Sequence, residues 1–172
     1  MANVLVTGAA GAIGMDLAFS FNQAKINVFG TEADADNFSL VSNKCKYYNN
    51  VFLAPRAGSN EYIARINQIV AEENIDLIIP NPDFEVSFIS KVRDKIECPL
   101  FLPSDETVQI LLSKSLTAQK IGDMAPTTFD VDDEQDLRSA ISSEGTVWLR
   151  PKTGAGGKGS IVVSDYKFGW MW

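Results

Sequence analysis

Trp148-Leu149-Arg150-Pro151-Lys152-Thr153-Gly154-Ala155-Gly156-Gly157-Lys158-Gly159-Ser160 is a basic, glycine-dense loop set between two short apolar runs, Val147 to Leu149 and Ile161 to Val163. Both runs read as strands, so the loop is expected at a hairpin tip rather than at the start of a helix. Glycines let backbone N–H groups converge on an anion without Cβ obstruction, and Arg150, Lys152 and Lys158 add positive charge. That chemistry suits a polyphosphate; the plainer alternative is a flexible, solvated hairpin loop. A Walker loop would need Gly-Lys-Ser or Gly-Lys-Thr and then a helix. Here Lys158 is followed by Gly159 and a strand-like run, which excludes a P-loop NTPase.

The surrounding chain has 172 residues, 45% of them hydrophobic, enough for one domain or for one domain plus part of another. Its net charge of -7, from 15 basic and 22 acidic side chains, argues against a general nucleic-acid-binding surface. The balance shifts along the chain. Residues 1 to 112 hold 8 basic and 14 acidic groups, and residues 113 to 172 hold 7 and 8, so positive charge gathers where the glycines are. Cys45 and Cys98 form neither a CxxC pair nor a disulfide framework, and a reducing cytoplasm is the expected location. The absence of histidine excludes Ser-His triads, Cys-His pairs and His-ligated metals within these residues. No basic region precedes a long apolar stretch, so neither a signal peptide nor a membrane span is expected.

Alternation governs the first hundred residues. Asn3 to Thr7 reads as a strand, Ile13, Leu17, Ala18 and Phe21 follow at helical spacing, and Ile26 to Gly30 is a second strand. Ala33 to Ser39 is polar and turn-rich, and Tyr47 to Leu53 holds a short third strand. A helix from Ser59-Asn60 carries Ile63, Ile66 and Val70, then Asp76 to Pro80 gives a buried-type strand. Asp83 is expected to cap a helix carrying Phe84, Val86, Ile89 and Val92, before a last strand at Pro99 to Leu102. The pattern argues for an α/β fold with a parallel sheet covered on both faces. Helices are then expected at Asp105 to Leu112, capped by Ser104, and over Ser113 to Met124. Thr127 to Asp130 reads as extended, and a further helix opened by Asp132 to Glu134 carries Leu137, Ala140 and Ile141.

A second glycine motif, Thr7-Gly8-Ala9-Ala10-Gly11-Ala12-Ile13-Gly14, follows a strand and opens a helix. It resembles the GxxGxxG fingerprint of short-chain dehydrogenases, and Glu32, 18 residues beyond Gly14, stands near where an acidic side chain would hold an adenosine ribose. That family usually needs a Tyr-x-x-x-Lys pair, and no tyrosine here has a lysine four positions later. Three readings stay open: tight turn and close helix packing by Gly8, Gly11 and Gly14 with no ligand, an NAD(P) site, or a carboxylate or phosphate at the helix N-terminus. The Asn81-Pro82-Asp83-Phe84-Glu85 turn is a candidate for facing a substrate, with Asp83 equally explained as a helix cap.

Taken in order, Lys114 and Thr117, Pro126 and Thr128, Arg150-Pro151, and the loop from Gly154 to Ser160 resemble the ATP-grasp superfamily. The nearest likeness is to the carbamoyl-phosphate synthase large chain and its carboxylate–amine ligase relatives. The resemblance covers essentially the whole chain and departs from the pattern at Ser113, where aspartate is usual, and slightly from Gly122 to Pro126. It implies a Rossmann-like pre-ATP-grasp domain over residues 1–112 and the N-terminal portion of an ATP-grasp α+β module over residues 113–172. By position, Lys114 and Arg150 would meet the α- and β-phosphates of ATP. Backbone groups of Gly154, Gly156, Gly157, Lys158, Gly159 and Ser160 would close over the β- and γ-phosphates. Arginine at position 150 resembles the synthase branch. The implied reaction is ATP-dependent activation of a carboxylate or bicarbonate as an acyl phosphate, attacked by an amine, normally with magnesium. The magnesium ligands of the family lie downstream of the flap, so the resemblance implies a truncated chain, inactive alone, with no metal ligand and no assigned catalytic residue of its own. Trp170 and Trp172 then mark either an apolar surface that promotes homo-oligomers or a frayed tail. Alternatives of other classes are an NAD(P)-binding, short-chain-dehydrogenase-like protein and a noncatalytic nucleotide-binding module.

Overall fold

The computed structural model describes residues 1–154 and 156–171; Ala155 and Trp172, both singled out in the sequence, lie outside the described residues. The chain forms two compact units, Met1–Val108 and Gln109–Trp172.

In the first unit, β1 (Asn3–Thr7), β2 (Asn27–Glu32), β3 (Asn50–Leu53) and β4 (Leu77–Ile79) make a parallel sheet in the order β3-β2-β1-β4. Alternate side chains point to opposite faces, so Leu5, Phe29 and Ile78 enter one core and Val4, Val6 and Val28 the other. α1 (Ala12–Gln23) and α2 (Ala35–Lys44) cover the second of these, through Ala18 and Val41. α3 (Tyr62–Glu73) and α4 (Asp83–Lys91) cover the first, through Tyr62, Ile66, Ile69 and Ile89. The winding reverses between β1 and β4, so the helices that follow those two strands lie on opposite faces of the sheet.

Three local expectations change. The polar stretch after β2 is not a turn but the start of α2. Asp34 accepts hydrogen bonds from Asp36 N and Asn37 N, and the apolar residues Phe38 and Val41 then lie against the sheet. Asp83 does not cap α4: Pro82 occupies that position with an extended backbone, and Asp83 is already the first helical residue. The segment from Pro99 to Leu102 makes one parallel bridge, Leu100 with Ile78, rather than a strand, held by Ile78 N to Pro99 O at 2.9 Å and Phe101 N to Ile78 O at 2.8 Å.

The division between units falls inside α5 (Asp105–Leu112). In the second unit, Ser113 caps α6 (Lys114–Ile121) by accepting from Leu116 N, and a 3-10 turn at Gly122–Met124 ends the helical run at a glycine with φ +56°. α7 (Glu134–Glu144) opens with a reciprocal capping box between Asp133 and Asp136. β5 (Val147–Leu149) and β6 (Ile161–Val163) pair antiparallel in the register Trp148 with Val162, followed by α8 (Tyr166–Met171). The loop of the opening sequence is therefore a hairpin tip. Leu137, Ala140 and Val163 are this unit's buried hydrophobic residues among those described, and Trp170 in α8 is half exposed. No helix among the described residues is long and apolar enough to cross a membrane.

Candidate functional site

The hairpin of the second unit holds the glycine loop open by backbone conformation. Gly154, Gly156, Gly157 and Gly159 have φ of +104°, +69°, +70° and +65°, values that side chains resist. A Cβ added at Gly154, Gly156 or Gly157 would meet nothing within 4 Å, so glycine is required there by the backbone rather than by crowding. Lys158 is exposed at this tip and has no hydrogen bond or ion pair with the described residues.

Lys114 comes to the same loop from the first turn of α6. Its backbone N donates to Lys152 O at 3.0 Å and its Nζ to Gly154 O at 2.7 Å. Arg150 continues the line of β5, with its guanidinium 5.1 Å from the centre of the exposed Trp148 ring. Lys114, Trp148, Arg150 and Lys152 line one cleft of about 640 Å³ together with α6 and the segment from Ala125 to Val131. Residues 36 positions apart in sequence, Lys114 and Arg150, thus line the same cleft.

Lys152 is more constrained than its sequence suggested. Its Nζ lies 3.0 Å from Asp132 Oδ1 and 3.4 Å from Asp130 Oδ1, and Asp130 also accepts from Ser115 Oγ at 2.8 Å. The Ser115 hydroxyl, then Lys152, hold the Asp130 carboxyl below the usual range, while Asp132 and then Asp130 raise the Lys152 ammonium. These groups are solvent-exposed, so the network orients the base of the hairpin more than it stabilises the fold. Alternating acidic residues at 130, 132 and 133 offered the only sequence signal for it.

The first glycine loop is built differently. A Cβ at Gly14 would lie 2.5 Å from Gly8 O, and one at Gly8 would lie 2.5 Å from Pro82 Cγ, so both glycines serve close approach of backbone. Gly11 is exposed in the N-cap position of α1 with no side-chain capping bond. The Tyr48 hydroxyl is buried against Gly14 O at 2.8 Å and Ala9 O at 3.2 Å. Glu32 turns inward: Oε2 accepts from Ala10 N at 3.2 Å and Oε1 from Ala33 N at 3.0 Å and Asp34 N at 3.2 Å. The protein's own carboxylate therefore already faces an amide of this loop, where an external anion would otherwise be drawn. Asp83 stays exposed in the first turn of α4, away from any contact with Glu32 among those the structure gives.

Behind that loop lies a polar group that sequence reading passed over. Glu85 is 5% exposed; its Oε1 accepts from Tyr62 Oη at 2.9 Å, while Oε2 has no hydrogen-bond partner among the described residues. Burial pushes its carboxyl up, the Thr7 and Tyr62 hydroxyls pull in the other direction, and Glu32 adds to the rise. Burial and the Glu85 charge likewise raise the Tyr62 phenol. Thr31 Oγ1, in a residue 2% exposed, is also unpartnered. The signal in the sequence was the spacing of Glu85 four residues before Ile89, which puts a carboxyl on the buried face of α4.

No protein-family model matches the sequence, and no curated protein sequence matches it. Among solved structures, a biotin carboxylase from Campylobacter jejuni in a β,γ-ATP complex superposes over 96% of this chain with a TM-score of 0.60 and 19% identity. The chain covers 39% of that enzyme's length, so the likeness is one of fold over about two fifths of a longer protein. A yeast methylglyoxal/isovaleraldehyde reductase complexed with NADPH matches 54% of this chain and 32% of its own at 11% identity and a TM-score of 0.44. A short-chain oxidoreductase from Burkholderia thailandensis matches 45% of this chain and 30% of its own at 24% identity and a TM-score of 0.37. The likeness over nearly the whole chain is one of fold, a Rossmann-like parallel-sheet unit followed by a smaller α+β unit with an antiparallel hairpin.

Proposed function

We propose that this chain is part of an ATP-grasp ligase that activates a carboxylate or bicarbonate as an acyl phosphate for attack by an amine. In this reading Met1–Val108 is the pre-ATP-grasp domain and Gln109–Trp172 the first part of the nucleotide-binding module. The observation that carries it is that Lys114 and Arg150 line one cleft, while the Lys114 ammonium also reaches Gly154 O of the glycine hairpin. The fold likeness to a biotin carboxylase bound to a nucleotide supports it.

ATP fits the residues present. Lys114 and Arg150 would neutralise the α- and β-phosphates, and the amides of Gly156, Gly157, Lys158 and Gly159 would close over the β- and γ-phosphates. ATP supplies the phosphoryl group; the chain's own work is to hold it still and spread its charge, since phosphoryl transfer depends chiefly on positioning and electrostatics. Lys114 is tied to Gly154 O, so its ammonium would bridge loop and phosphate, and Lys152, held by Asp130 and Asp132, would set the hairpin's base. Magnesium does not fit in the same way. Among the described residues no group of three or more Cys, Asp or Glu is placed to hold a metal ion, so no step is assigned to one.

Calorimetric titration of the chain with ATP and with NADPH tests the assignment. ATP should bind weakly, in a range of about 0.1–1 mM, and Arg150→Ala should weaken it by roughly tenfold, the worth of one charge-assisted contact. Saturable NADPH binding without ATP binding would replace this reading with the dehydrogenase-like one.

A further inference from the structure

The cleft of the second unit, about 640 Å³, extends well past the residues that would meet phosphates. Every residue from Thr146 to Lys152 lines it. Successive side chains of a strand point to opposite faces, so a space that touches all of them runs along the strand's edge rather than over one face. β5 pairs with β6 on one edge and, among the described residues, with no strand on the other. That free edge presents backbone N–H and C=O groups to an incoming strand. Lys114, Thr117, Ala118 and Ile121 line the same cleft at the spacing of a single face of α6. From Lys114 to Ile121 is about 10 Å along the helix axis, the span of about three residues of extended chain.

Positive charge lies at one end of this space. Lys114 N donates to Lys152 O at 3.0 Å, so the start of α6 meets the end of the run that begins with β5. Lys152 is already met by Asp130 and Asp132, whereas Arg150 has no carboxylate in ion-pair reach among the described residues. Glu144, three residues before Val147, lines the cleft at the opposite end of β5 from Arg150. Ile121 and Phe129 give the wall apolar surface, each 42% exposed.

We infer that this cleft binds an extended apolar peptide that ends in a free carboxylate. The peptide backbone pairs with the free edge of β5 and runs in the same direction, which brings its carboxylate to Arg150 and Lys114 and keeps it away from Glu144. Its side chains rest on Ile121 and Phe129. A bare hydrocarbon tail would cover the edge's N–H and C=O groups without pairing them, a cost that a peptide backbone avoids. The carboxylate shares Lys114 and Arg150 with the phosphates of the ligase reading; the strand pairing does not depend on that reading.

The test is an amide-resolved NMR titration of the whole chain with the acetylated tripeptide Val-Thr-Val. Its C-terminal carboxamide, a form N-methylated at each backbone amide, and octanoate are titrated in parallel. The free acid should shift Val147 to Leu149, Ile121 and Phe129 saturably, with Gly8 to Gly14 unmoved. The carboxamide should bind about tenfold more weakly, as should the free acid to Arg150→Ala, and N-methylation should remove the response. These ligand changes need no variant to fold; Ile121→Ser, at an exposed position, should in addition weaken the free acid a few-fold. A carboxamide that binds as well as the acid, an equal response to octanoate or to the N-methylated form, or no saturable shift up to about 10 mM would each overturn the proposal. ATP is titrated on the same spectra. ATP shifts at Gly156 to Ser160 with no peptide response overturn this inference alone, and a peptide response with no ATP shifts overturns the ligase reading alone.

Discussion

Two glycines separate the two loops. At Gly14 a Cβ would meet the Gly8 carbonyl at 2.5 Å, and backbone cannot step aside cheaply, so Gly14→Ala should cost the first unit about 1–3 kcal/mol and lower its melting temperature. At Gly157 the same substitution meets no atom and bears only the left-handed backbone cost of about 1–2 kcal/mol, confined to an exposed loop. Gly157→Ala should leave the first unit's thermal unfolding unchanged and weaken ATP binding. The glycine spacing in the sequence was equally suggestive in both loops; what it did not reveal was Glu32 folded back on Ala10, a contact spanning 22 residues. Glu85 gives a second prediction at this scale. Its native pKa is raised, so between the unfolded value of about 4.3 and the native one the folded state holds a proton that the unfolded state releases. The stability it contributes is complete below about pH 4 and is lost as pH rises through the native pKa. Glu85→Gln should therefore match the wild type in acid and become progressively more stable than it toward pH 8, read as urea midpoints across that range.

Elements formed where a local signal and a tertiary face agreed. β1 and β2 were legible because apolar runs ended in turn residues, and the register of Thr7 with Thr31 follows from pairing them in parallel. α2 was missed because Asp34, Asp36 and Asn37 look like turn chemistry, whereas Asp34 uses its carboxylate as a cap and Phe38 and Val41 supply the buried face. The same device governs α7, where Asp133 and Asp136 cap each other's ends of the first turn. Because Leu137 and Ala140 on this helix are two of the three buried hydrophobics among the described residues of their unit, the cap matters beyond its own bonds. Asp133→Ala should cost about 1 kcal/mol and raise amide exchange from Glu134 to Glu144, with the first unit's exchange unaltered.

At the scale of the molecule, burial is uneven. Of 23 buried hydrophobic residues among those described, 20 belong to Met1–Val108 and 3 to Gln109–Trp172. The second unit in turn exposes Met124, Trp148, Val162 and Met171, each more than half accessible. The first unit should therefore unfold cooperatively while the second opens at much lower free energy, visible as two exchange regimes. The alternation of strands and helices made the first unit readable. The second was readable chiefly through the ordered set from Lys114 to Ser160, because its short elements bury too little to leave a strong periodic trace. The proposed division of labour puts a phosphate site at the hairpin and none at the first glycine loop. Amide NMR of the chain with ATP added measures both places at once. Saturable shifts are expected at Lys114, Arg150 and Gly156 to Ser160, with their midpoint raised roughly tenfold by Arg150→Ala and Gly8 to Gly14 still. Shifts centred on Gly8 to Gly14, with the hairpin unmoved, would contradict it.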